Sequence, residues 1–122
     1  MTLESLQGKI FSWCRYTFGD KIALDTKIRA LRVLEEAIEL AQAEGVDEAT
    51  AQAWVKHVYS RPVGEVYQEA GGLAICFLAW AGSRNVELSY LADIELRRID
   101  NPQAIEKIRA KQAEKNAVGA SS

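Results

Sequence analysis

The chain has 122 residues, 48% of them apolar and 26% charged, and a formal net charge of −2. That length suits one domain with a small core, and that charge supplies no electrostatic reason for a nucleic-acid partner. The longest apolar run, Leu73 to Ala81, is too short to cross a bilayer, and the N-terminal stretch with Glu4 does not read as a signal peptide. Two prolines and no sustained period-two alternation predict helices nearly throughout. A first helix is expected from about Leu3 to Tyr16, broken at Gly19 in "TFGD". Asp25 suits the N-cap of a long second helix to Ala43, which Gly45 stops. Asp47 caps a third helix to about Val58. "YSRP" is a turn, with Pro62 in the first turn of a fourth helix to about Ala81. A fifth covers roughly Glu87 to Arg98. Asn101 then caps a sixth, with Pro102 at its first position, running to about Lys115. The expected fold is all-α: one helical domain over residues 1–116, then a disordered tail over 117–122. Cys14 and Cys76 lie far apart in helical patterns and read as free thiols of a reducing compartment. The chain is therefore expected in the cytoplasm (of the host, if viral), with no membrane and no nucleic-acid partner.

The chemistry is concentrated in "LRVLEEAIELAQAEG", Leu31 to Gly45, where Glu35, Glu36 and Glu39 fall within five positions. At helical spacing Glu36 and Glu39 lie on adjacent turns of one face, with Glu35 beside Glu39. Leu31, Leu34, Ile38 and Ala41 form the expected core stripe, and the glutamates flank it. Carboxylates three residues apart can share one hard cation; without one they repel. The alternative is a solvated acidic face partly neutralised by Arg29 and Arg32. The fourth helix repeats the arrangement. Glu65, Glu69, Gly72 and Cys76 share a face, beside an apolar face of Leu73, Phe77 and Trp80. Two helices that each carry carboxylates beside the core are how bundles build divalent-metal sites. Oxygen-only donors favour Mg²⁺ or Mn²⁺, ions that commonly serve phosphates.

Gly71 and Gly72 predict either a close helix crossing or room for a ligand beside Glu69. Lys107, Arg109, Lys111 and Lys115 make the sixth helix basic. Such a run is usually a solvated face, but Lys107, Arg109 and Lys111, with Arg61 in the "YSRP" turn, are candidates for phosphate contacts. Ile105 and Ile108 turn toward the core. His57, beside Trp54 and Tyr59, reads as structural. Trp13, Phe18 and Trp54 suit a core or an interface, and one could hold a nucleobase, Trp13 being the candidate carried forward.

"EEAIEL" (Glu35 to Leu40) followed by "QEAGGLAICFLAWA" (Gln68 to Ala81) resembles the MazG-like, all-α nucleoside triphosphate pyrophosphohydrolases. That family shows E-x-x-E on one helix and E-x-x-D on the next long helix. Glu36 and Glu39 match the first pair and Glu69 matches the third acid, but Gly72 stands where the family has aspartate. "TFGD" and the closing "ELRRIDNPQAIEKIRAKQAEK" (Glu95 to Lys115) resemble a phage-associated branch that tends to carry a double glycine. The likeness runs from about Phe11 to Lys115. It implies a MazG-like helical bundle completed by oligomerisation, commonly as a tetramer. It also implies Mg²⁺ or Mn²⁺ held by Glu36, Glu39 and Glu69, and cleavage of a nucleoside triphosphate to the monophosphate and pyrophosphate. The branch likeness points to dGTP or GTP. Glu35 is the candidate general base or auxiliary ligand, and Glu35, Glu65 or Asp93 could compensate for Gly72. A rival from another class is a non-catalytic helical adaptor whose glutamates are surface.

Overall fold

The computed structural model describes residues 2–118. Among them are seven helices and no strand: α1 (Leu3–Phe18), α2 (Asp20–Ala23), α3 (Thr26–Ala43), α4 (Glu48–Tyr59), α5 (Val66–Ser83), α6 (Leu88–Ile99) and α7 (Pro102–Asn116). The all-α class expected from the sequence holds.

The expected caps hold too, because capping is a local matter of one side chain and the first free amides. Asp25 accepts from the amides of Lys27 and Ile28, Asp47 from that of Thr50, and Asn101 from that of Ala104. The ends of α3 and α5 close in the same way. Gly45 has φ +92°, and Val46 N–H returns to Ala41 O at 2.9 Å. Asn85 has φ +55°, and Val86 N–H returns to Ala81 O at 3.0 Å. In both, a left-handed residue satisfies carbonyls that the helix leaves open.

Two boundaries differ from expectation. The chain does not simply break at "TFGD": α1 runs on to Phe18, and the short helix α2 follows. Gly19, at φ +78°, makes the corner. Arg15 then clasps Asp20 through two hydrogen bonds, at 2.9 and 3.0 Å. The second difference is the start of α5, which lies at Val66 and not near Pro62. Glu65 takes the capping role there, its Oε2 accepting from Gln68 N–H at 2.7 Å. Of the tail expected to be disordered, Ala117 and Val118 form a hydrogen-bonded turn after α7. Residues 119–122 lie outside the described residues.

The chain's contacts divide into two compact units, one of Met1–Leu24 and Trp80–Ser122, the other of Asp25–Ala79. In the first, α1 packs on α2, α6 and α7, and α6 packs on α7. Leu6 (2% exposed), Ala23, Ala81 and Ile105 form its core. Trp13 meets Phe18 edge to face at 5.9 Å between centroids.

The second unit is built differently. Its α3 packs on α4, yet no residue from Asp25 to Ala79 is buried. The expected core stripe of α3 is at the surface: Leu31 is 56% exposed, Leu34 49% and Ile38 48%, with Ala41 half-buried. Leu73, Ile75, Phe77 and Leu78 of α5 are exposed as well, so the run expected as a buried helix is an apolar surface up to Trp80 and Ala81. The helical period identifies which face is apolar. It does not identify what covers that face.

Candidate active site

The glutamates of α3 are organised by one arginine. Arg32 sits a turn before them, and its guanidinium reaches forward three and four residues. Nη1 donates to Glu35 Oε1, and Nη2 donates to Glu36 Oε1 at 2.9 Å. Both spacings place the partners on the same helix flank. The guanidinium is the least exposed of the three groups, at 27% against 39% for Glu35 and 63% for Glu36. Glu39, one turn further on, is exposed and makes no ion pair among the described residues.

A second pair of carboxylates stands at the head of α5, in the same unit. Glu65 caps the helix, and Glu69 N–H bonds Glu65 O at 2.9 Å. Glu69 lies in the first turn. Its side chain folds back over Gly64, where a Cβ would collide with the carboxylate. The positive end of the helix dipole favours both acids there. Gly64, not Gly71 or Gly72, is thus the glycine that makes room for Glu69. A Cβ at Gly71 or Gly72 would meet nothing within 4 Å, so neither marks a close helix crossing among the described residues. Gly64 was not singled out in the sequence, where it falls inside the helix expected from Pro62 onward.

Glu36, Glu39 and Glu69 are hard oxygen donors of the kind that Mg²⁺ and Mn²⁺ take. Glu36 and Glu39 supply two of them from successive turns of α3. Among the described residues, however, no group of three or more His, Cys, Asp or Glu side chains stands close enough to hold a metal ion. The donor chemistry fits a divalent cation. The third carboxylate is not gathered with the other two inside one chain.

Lys107 and Lys111 are exposed on α7, and Arg61 is exposed in the turn after α4. Arg109 is engaged with α1: Nε donates to Thr17 O at 2.7 Å and Nη2 to Tyr16 O at 3.2 Å, with the guanidinium 5.7 Å from the centre of the Tyr16 ring. A cation there satisfies the carbonyls at the negative end of α1. Arg109 also borders a shallow cavity of about 360 Å³ with Thr17, Phe18, Ile22, Gln112, Ala113 and Asn116, none of them acidic. Trp13, half-buried in the first unit, packs on Phe18. Trp54 and His57 meet edge to face at 5.6 Å on α4, and both are exposed.

Charge pairs shape the first unit. The hydrogen bond from Arg15 holds the Asp20 carboxyl below the usual aspartate range, and the bond from Arg98 does the same for Glu95. The chain matches no family model, no curated protein sequence and no solved structure.

Proposed function

We propose that the chain is a metal-dependent nucleoside triphosphate pyrophosphohydrolase, acting on dGTP or GTP and releasing pyrophosphate. The observation that supports this most is the presence, in one compact unit, of two carboxylate-bearing helix segments: Glu36 and Glu39 on α3, Glu65 and Glu69 at the head of α5. Their order and spacing are those of the MazG-like pattern, with Gly72 the one departure. Glu36, Glu39 and Glu69 would hold Mg²⁺ or Mn²⁺, which when bound supplies charge neutralisation on the phosphates and an activated water. Glu35 is the auxiliary base or ligand, and Arg61, exposed in the same unit, is a cation for the phosphates.

The working form in this reading is a homo-oligomer, a tetramer by family likeness. The support is physical. Leu31, Leu34 and Ile38 on α3, and Leu73, Phe77 and Leu78 on α5, expose apolar surface that a second copy would remove from water. A second copy would also bring further carboxylates to a site that one chain leaves incomplete.

Incubation with each of the eight common (d)NTPs and Mg²⁺ or Mn²⁺, followed by chromatography, tests the activity. Monophosphate and pyrophosphate are expected, with at least a hundredfold loss of rate in Glu39→Gln, as removal of one charge-stabilising group commonly gives. No turnover with any pair would leave the second reading, a non-catalytic adaptor. That reading draws on the exposed aromatics Trp54, Tyr59 and Tyr67 around the α4–α5 connection.

A further inference from the structure

We propose that the cavity between the α1–α2 corner and α7 binds a small organic carboxylate with an apolar body and one hydrogen-bond donor, the class of a hydroxybenzoate. The cavity lies wholly within the first unit and is independent of the glutamates of α3 and α5. Among the described residues, the buried polar side chains are Thr17 and Gln112, at 3% and 5% exposed, and both line this cavity. Neither is fully satisfied by the protein. Thr17 Oγ1 has no hydrogen-bond partner among the described residues. Gln112 donates from Nε2 to Asn116 Oδ1 at 2.7 Å, and its Oε1 accepts nothing among them. Folded proteins pair nearly all such groups, so two shortfalls at one cavity mark a missing partner. The volume of about 360 Å³ is in the range of small-molecule sites and far exceeds the roughly 30 Å³ share of one water.

The lining selects the chemistry. Phe18, Ile22 and Ala113 supply apolar surface, and no acidic residue is present. Arg109 supplies the charge. Its Nε and Nη2 are held by the carbonyls of Thr17 and Tyr16, while Nη1 has no partner among the described residues. The guanidinium is thus met by carbonyl dipoles and a tyrosine ring but by no counter-anion, and a carboxylate is its natural complement. Because those contacts already fix it, little ordering cost remains to be met on binding. Asn116 Nδ2 is a second donor for the same oxygens, since Asn116 is engaged only through Oδ1. Gln112 Oε1 is left to accept from a hydroxyl on the ligand body.

Amide shifts in ¹⁵N-labelled protein test this, titrated with each isomer of hydroxybenzoate, benzoate, phenol and inorganic phosphate. Benzoate lacks the donor, phenol the charge and phosphate the apolar body. Saturable shifts are expected at Thr17, Phe18, Ile22, Gln112 and Asn116, at about millimolar concentration for so small a ligand. At least one hydroxybenzoate should bind about three- to tenfold more tightly than benzoate, the worth of one hydrogen bond. Phenol and phosphate should bind more weakly still. Asn116→Asp keeps the oxygen that Gln112 needs and places a negative charge at the site, so hydroxybenzoate should weaken about fivefold or more. Ala113→Phe fills the cavity from an exposed position and should abolish binding, with circular dichroism confirming that α7 is kept. Absence of saturable shifts at these amides overturns the site, as does unchanged binding in a folded Ala113→Phe. Phenol or phosphate binding as tightly as the best hydroxybenzoate overturns the carboxylate class. Benzoate matching every hydroxybenzoate overturns the contact to Gln112.

Discussion

Single side chains decide how the first unit turns its corner. Gly19 supplies the left-handed φ, and the two hydrogen bonds of Arg15 to Asp20 hold α2 against the end of α1. The same bonds keep the Asp20 carboxyl below its usual range. A carboxyl whose folded pKa is depressed contributes stability above its unfolded pKa, about 4, and loses it as pH falls through the folded value. Asp20→Asn is therefore expected to melt below wild type at neutral pH. The gap should close as pH drops below about 4, in parallel thermal scans. Arg109 invites a comparable test, because its bonds to Tyr16 and Thr17 explain it without a substrate. Arg109→Met should lower unfolding stability by about 1–2 kcal/mol in urea titrations. It should leave KM for the nucleotide unchanged; a raised KM would return Arg109 to the phosphate site.

At the scale of helices, what the sequence reveals follows from how local the cause is. Asp25, Asp47 and Asn101 were legible as caps because each bonds amides two or three residues ahead. Gly45 was legible as a stop because a left-handed closure favours glycine. Gly45→Ala is expected to destabilise the protein by about 1–2 kcal/mol, the strain of a Cβ at that φ, measured by chemical denaturation. Asn85 closes α5 by the same route with a residue that tolerates the region. The start of α5 was not legible. Pro62 suits a first helical turn and an extended loop equally, and the choice fell to Glu65, an unusual cap that propensity does not favour. Nor was α2 legible, since a glycine reads as a break until the Arg15–Asp20 clasp is seen to restart the helix. The acids of α3 could be placed on one flank from spacing alone. Their sharing of a single guanidinium depended on rotamers that spacing does not specify.

Across the whole molecule, the two units differ in kind. One closes a core around Leu6, Ala23, Ala81 and Ile105; the other leaves its apolar stripes on the surface. Periodicity told which residues would be apolar neighbours, and it told this correctly for Ile105. It could not tell that the stripe of α3 faces outward in one chain. Nor could it tell that Glu69 stands outside a common cluster with Glu36 and Glu39, because both depend on contacts beyond the helix. If copies of the chain cover those stripes, light scattering should give a mass several times 13.5 kDa. Ile38→Glu, which places a charge in the stripe, should shift it toward a single chain. The catalytic rate should fall with the mass, since the site is proposed to draw on the neighbour.

The lack of any buried residue between Asp25 and Ala79 also has a consequence in time. Backbone amides there are shielded by their own helical turns and by little else, so their protons should trade with solvent deuterium long before those around Leu6 and Ile105. Their lifetimes should lengthen as the protein is concentrated, because association stabilises by mass action whatever it covers. The amide clock of α3 and α5 would then read, residue by residue, how much of the fold belongs to the chain and how much is lent to it.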